Sequence, residues 1–310
     1  MAERRLGLRG ICACLPAALA LALAACGREA APPADPLIYE IVGTGGVVKG
    51  WVFGTIHALP DGTHWRTPPI ERAIDRADVL MVEIADLEER ARIASIFEEL
   101  AATPGLPPLS RRIDPGLRPE LAELMSDAGL SDTDTARIET WAAALMLARA
   151  VSDSNAQNGV DLAVISDFEG REVIELEGAR SQLAIFDRLA EADQRDLLRE
   201  VVAGASEIGA DPAALREAWL AGDEAALIEA STTGLLDHEE LRRALLIERN
   251  RKWLGPVLEQ LARGGCPLVA VGAAHVVGPS GLAAMIERNG FRVRPVHESE
   301  SGNRNACSIE

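Results

Sequence analysis

Two Gly-x-x-His segments, Gly54-Thr55-Ile56-His57 and Gly272-Ala273-Ala274-His275, stand far apart in the chain, and a lone carboxylate, Glu83, interrupts the apolar run Val79–Ile84. Each follows a β-prone run: Trp51-Val52-Phe53, Val79-Leu80-Met81-Val82 and Leu268-Val269-Ala270-Val271. Side chains at strand exits can converge, because open α/β sheets bind ligands beyond the carboxyl ends of their parallel strands. Two imidazoles and one carboxylate match a catalytic metal site, which keeps three protein ligands and an open position for water. Such a metal lowers the pKa of its bound water and polarises a carbonyl. Without a metal, His57 or Glu83 would serve as a general base. A lone His is more often structural, but the repeated Gly-x-x-His context makes a joint role for His57 and His275 the stronger expectation. For Glu83, spacing alone weighs a buried functional carboxylate, which needs a partner, equally against a strand-end residue facing water.

Further candidates lie between these motifs. Leu246, Asn250, Trp253 and Val257 share one face of a long helix that also carries Arg249. An Asn on an apolar stripe must find partners if buried, so Arg249 and Asn250 either support the site, contact substrate or make structural hydrogen bonds. Glu177 leaves another strand, where it reads equally as a favourable charge near a helix N-terminus. Gly159-Val160-Asp161 reads as a loop-to-helix junction with Asp161 as a cap, a structural role. His64 and His238 read as surface residues, and His297 carries no assignment. His-Glu-x-x-His, Walker and Gly-x-Ser-x-Gly motifs are absent from the sequence.

The elements that must position these residues follow from the pattern. Leu37–Val42 and Val47–Ile56 flank a Gly-rich turn and predict a β-hairpin. Thr67-Pro68-Pro69 predicts a helix to about Ala77, with Thr67 as N-cap. Val79–Ile84 predicts a strand covered on both faces. Helices are expected at Leu87–Ala101, around Leu117–Met125, at Thr140–Val151 and, after a strand at Arg171–Leu176, at Ser181–Ala190, Gln194–Val202, Pro212–Leu220 and Glu224–Ala230. A long helix is expected from near Asp237 to about Leu254, where Gly255-Pro256 can kink it. Strands at Pro267–Val271 and Phe291–Val296, with a helix at Ser280–Asn289 between them, complete the chain. The expected fold is α/β, a central mixed sheet formed by the N- and C-terminal segments and covered by helices with a helical insertion.

The first 25 residues read as a signal peptide: Arg4, Arg5 and Arg9 precede the apolar run Ile11–Ala25, too short to span a bilayer. Leu23-Ala24-Ala25-Cys26 resembles a lipobox, which predicts acylation at Cys26, a tether over residues 26–36, and a domain over 37–310 in the bacterial envelope. Gly27 is similar to the residue after the lipidated Cys of outer-membrane lipoproteins, which predicts attachment there through acyl chains, facing the periplasm. The formal charge of −17 grows more negative without the basic leader, which argues against nucleic acid as a partner. Cys266 and Cys307 are an even pair in an exported domain and predict a disulfide.

The ordered set Gly54–Pro60, Val82-Glu83, Gly159-Val160-Asp161, Glu177 with Gln182, Arg249-Asn250 with Trp253, and Val271–His275 with Gly278–Leu282 resembles the TraB/GumN family, which includes PrgY and the Tiki proteins. The resemblance runs from about Leu37 to Val296. It implies a fold like that of erythromycin esterases and a haem-associated bacterial lipoprotein. From the Tiki branch it implies a metal-dependent protease using manganese or cobalt, with His57, Glu83 and His275 as the residues that carry over. Arg249 and Asn250 match a family position of less certain role. The expectation is therefore a lipid-anchored hydrolase of peptide bonds holding a divalent metal (Mn, Co or Zn). The alternatives are a lipoprotein that sequesters a peptide or haem without turnover, and a metal-free esterase-like hydrolase.

Overall fold

In a computed structural model, residues 34–150, 158–206, 212–296 and 307 are described. The leader, Cys26, most of the tether and His297 lie outside them. Among the described residues no helix is long and apolar enough to cross a membrane.

Six strands form one mixed sheet: β1 (Ile38–Val42), β2 (Val48–Thr55), β3 (Val79–Val82), β4 (Glu172–Glu175), β5 (Pro267–Gly272) and β6 (Arg292–Pro295), in the order β4-β3-β5-β2-β1-β6. The expected hairpin is β1 paired antiparallel to β2, and β6 pairs antiparallel to the far side of β1. The four strands β4, β3, β5 and β2 run parallel, so their carboxyl ends share one edge. β5 inserts between β2 and β3, with Thr55 opposite Gly272 and Val82 opposite Ala270. That insertion places both Gly-x-x-His motifs and Glu83 side by side. The sheet comes mainly from the two ends of the chain; β4 comes from the middle and occupies an edge.

β3 is buried along its whole length, as a strand covered on both faces must be. Helices such as Pro68–Arg76 and Glu248–Ala262 cover the sheet and share its core. The helical insertion builds a second core around Trp141, Leu124, Leu147 and Leu198. Arg112 is buried there and donates to the carbonyls of Pro107, Thr135 and Ile138.

Three local expectations need correction. Thr67 is the N-cap residue of the Pro68–Arg76 helix as expected, but its hydroxyl makes no capping bond and is buried without a partner. Proline in the first turn needs no amide partner, and the apolar face of Ile70, Ala73 and Ile74 holds the helix. β3 ends at Val82, so Glu83 lies just past the strand. The long helix does not end near Leu254; it continues to Ala262 with Pro256 inside it. The irregularity falls earlier, in a π-helical turn at Arg243–Ile247. It immediately precedes Arg249, and such turns often mark functional positions.

Cys266, next to β5, is joined by a disulfide to Cys307, with Cα atoms 5.7 Å apart. Gly54 lets β2 approach the segment carrying His275: a Cβ there would lie 3.1 Å from Ala273 Cα and 3.2 Å from its Cβ. Gly54→Ala must push these backbones apart. We expect a loss of about 1–3 kcal/mol in urea unfolding, as for an overpacked core; unchanged stability would mean that this contact is slack.

Candidate active site at the strand ends

Each candidate leaves the sheet within a few residues of a parallel strand's end: His57 after β2, Glu83 after β3, Glu177 after β4 and His275 after β5. The β3–β4 ladder carries on past the strands, since Glu177 and Gly178 both donate backbone N–H groups to the Glu83 carbonyl. This pins Glu83 and Glu177 beside one another. Gly272 marks the meeting point. A Cβ on it would lie 3.4 Å from Glu83 Oε1, 3.7 Å from His275 Cδ2 and 3.8 Å from His57 Nε2. Three side chains distant in sequence thus surround one small volume.

Arg249 organises this volume from the helix above. It is buried, and its Nη2 donates to Glu83 Oε2 at 2.5 Å while Nε donates to Glu177 Oε2 at 2.8 Å. Nη1 donates to the Leu245 carbonyl at 3.2 Å and meets His275 Nε2 at 3.0 Å. The Leu245 carbonyl lies in the π-helical turn, which ties that irregularity to the site. The guanidinium also sits 4.7 Å from the centroid of the Trp253 ring, a cation–π contact.

The tautomer of His275 follows from its neighbours. Asn250 Nδ2 donates to the carbonyls of His275 (3.2 Å) and Ser280 (2.8 Å), so its Oδ1 is an acceptor. His275 Nδ1, 2.7 Å from that oxygen, must carry the proton and donate it. Nε2 then holds the lone pair that accepts from Arg249. The ring is therefore neutral, and its pKa is lowered to about 3. Burial is the main cause, opposed by Glu83 and reinforced by Arg249 and His57. Burial also pushes Glu83 up, but attraction to His275, Arg249 and His57 and the Gly272 N–H outweigh it, so it is held below the usual carboxylate range. With His275 neutral, Arg249 is the charge in direct contact. Glu177 is shifted up by burial, only partly offset by Arg249.

His57 has the opposite environment. Its Nδ1 pairs with Asp161 Oδ2, and 70% of its side chain is exposed to solvent. Attraction and hydrogen bonding to Asp161 raise its pKa to about 9, against partial desolvation and with help from Glu83. Nε2 is left facing the volume over Gly272. Asp161 sits in the first turn of the Val160–Asp167 helix, whose N-cap, Gly159, makes no side-chain capping bond. Reading Asp161 as a structural cap therefore needs correction: its carboxylate faces His57. The only sequence signal was its place in the Gly-Val-Asp triplet. Of the other histidines, His64 is exposed, whereas His238 pairs with Glu200 and Asp196 in the helical insertion.

The donor set tests the implied metal. A ligand must offer a free lone pair, and His57 Nε2 does so only once the imidazolium has lost its proton, near pH 9. His275 Nε2 and Glu83 Oε2 are turned to Arg249, and Glu83 Oε1 accepts from Gly272 N–H at 2.9 Å. Among the described residues no group of three or more His, Cys, Asp or Glu side chains is spaced to hold a metal ion. As arranged, a guanidinium stands where the metal's charge would be, and the residues do not fit the ion.

Two predictions follow from the burial. Arg249→Met leaves Glu83 and Glu177 buried without their cation and should lower stability by about 3–5 kcal/mol in denaturant titrations; a loss under 1 kcal/mol, about a surface pair's worth, would contradict the burial. The second concerns His275, which an unfolded chain protonates near 6.5 and the folded one only near 3. Between these values the unfolded state binds more protons, so stability falls as pH falls. The slope is roughly 1 kcal/mol per pH unit for one such group. Thermal melts from pH 6.5 to 5 should show it, and His275→Gln should flatten it; an identical slope in the variant would refute a neutral buried imidazole.

The model of the TraB/PrgY/gumN family matches residues 37–295. No curated protein and no solved structure matches the chain.

Proposed function

The chain belongs to the TraB/PrgY/gumN family, and from the His57–Asp161 pair set over its strand ends we propose that it is a hydrolase in which His57 activates water against a carbonyl. The family resemblance points to peptide bonds as the substrate class. The lipobox-like Cys26 points to a lipid-anchored protein of the bacterial envelope. The observation that carries the reading is the carboxylate on His57 Nδ1, which orients the ring and makes Nε2 the nitrogen that acts as base once the imidazolium loses its proton.

In this reading Nε2 takes a proton from water as its oxygen attacks the carbonyl carbon. Asp161 stabilises the imidazolium that forms, and the same proton then passes to the leaving nitrogen or oxygen. Glu83, Glu177 and His275 each contact Arg249 and with it form a fixed polar floor beneath the reacting atoms. Gly272 leaves room above that floor, where a larger residue would meet Glu83 and His57.

A second reading is the metal-dependent form, favoured by the convergence of His57, Glu83 and His275 on Gly272. It requires Arg249 to withdraw from Glu83 and His275. A bound Mn, Co or Zn would then lower the pKa of a bound water.

The two readings separate by experiment. For a general base with its pKa raised to about 9, kcat/KM on a quenched peptide library should rise with pH to a limb near 9. His57→Ala should lower it at least about a hundredfold, and Asp161→Asn should move the limb toward 6.5. Chelators should leave the rate unchanged. Normal cleavage by the His57 variant would end both readings; loss on chelation, with stoichiometric metal by elemental analysis, would select the metal form.

A further inference from the structure

A cavity of about 670 Å³ opens beside the dyad, and neither His57, Glu83 nor His275 lines it. Its walls are the segments that carry the site. Leu59, Pro60 and Thr63 follow His57; Leu162, Ala163 and Ser166 follow Asp161 on one helix; and the rim residues Glu88 and Arg90 follow Glu83. The first two walls are tied together at three places. His57 pairs with Asp161, Val160 N–H donates to the Ile56 carbonyl at 3.0 Å, and Asn158 Nδ2 donates to Asp61 Oδ1 at 2.5 Å. The hydrogen bond that orients His57 therefore also joins these walls. Trp65 contributes to the lining and is itself held against Phe53, the ring centroids 6.0 Å apart.

We infer that this cavity is the substrate's binding subsite and takes an apolar side chain of a peptide, next to the bond presented to His57. This rests on the hydrolase reading above. The volume lies in the range of pockets that bury small ligands and exceeds what one methyl or hydroxyl group would need. Leu59, Pro60, Trp65, Leu162 and Ala163 form the apolar stretch of a mixed lining, which Gly62, Thr63, Asn158, Gly159 and Ser166 complete with polar atoms. The charged residues of the lining, Glu88 and Arg90, are exposed and of opposite sign, so their charges cancel and leave no net charge that would select an ionic side chain. Because the walls are joined before any ligand arrives, little ordering is required on binding. Selectivity should come from desolvation of the side chain, so large apolar residues are favoured over glycine.

Binding of two blocked amino acids, N-acetyl-phenylalanine amide and N-acetyl-glycine amide, to the full-length protein tests this by saturation-transfer NMR. The phenylalanine probe should bind at least tenfold more tightly. Ser166→Trp, on the exposed side of its helix, should bring the ratio near one by filling the cavity, and Thr63→Trp should do so from the facing loop. Thermal melts identify the folded variants. Equal binding of the two probes to the wild-type protein, or an unchanged ratio in either folded variant, would overturn the inference. The readout needs no turnover. A His57→Ala protein that keeps the tenfold ratio while no peptide is cleaved by the wild type would refute the hydrolase reading and leave the apolar site standing.

Discussion

The structure depends on one buried cation. Arg249 reaches from its helix to the ends of three parallel strands and meets Glu83, Glu177 and His275 there. Two buried carboxylates this close to one another could not both stay ionised alone. Between them the guanidinium makes charge-assisted bonds in its planar fork. It leaves Asn250 to fix the far side of His275. The turn of π-helix before Glu248 brings the Leu245 carbonyl to Arg249, so the backbone irregularity belongs to the same arrangement.

This arrangement divides the labour between two histidines that share a motif. His275 is 5% exposed, hydrogen-bonded at both nitrogens and held neutral. It contributes shape and a fixed dipole. His57 is open to solvent, paired with Asp161 on one nitrogen and free on the other. Only the second can exchange a proton with a bound molecule without unpacking the core. The identical Gly-x-x-His spacing serves different ends. Gly54 permits close packing of β2 on Ala273, whereas Gly272 keeps space clear beneath His57 and Glu83.

Much of this was legible in the sequence, because strand ends are marked by local composition. The runs before His57, Glu83 and His275 are apolar and β-prone, and the parallel pairing of β2, β5 and β3 brings their exits together. Glu177, Arg249 and Asn250 were visible as polar residues at a strand exit or on an otherwise apolar helix. Asp161 looks like a cap in its local context because its value lies in a contact 104 residues away in the chain, which no local pattern encodes. Gly255-Pro256 does not end the helix for a related reason: tertiary packing of Trp253, Val257 and Leu261 holds the helix through it. The competition between a metal and Arg249 was likewise hidden, since it turns on which lone pairs are already engaged.

The central claim is that Arg249 and Glu83 act as one buried unit. A double-mutant cycle with Arg249→Met, Glu83→Gln and the combined variant, read by urea unfolding, measures that directly. The account predicts a coupling of at least about 1 kcal/mol, with the double variant markedly less damaged than the two single losses added together. Additivity within about 0.5 kcal/mol, the behaviour of independent sites, would contradict it.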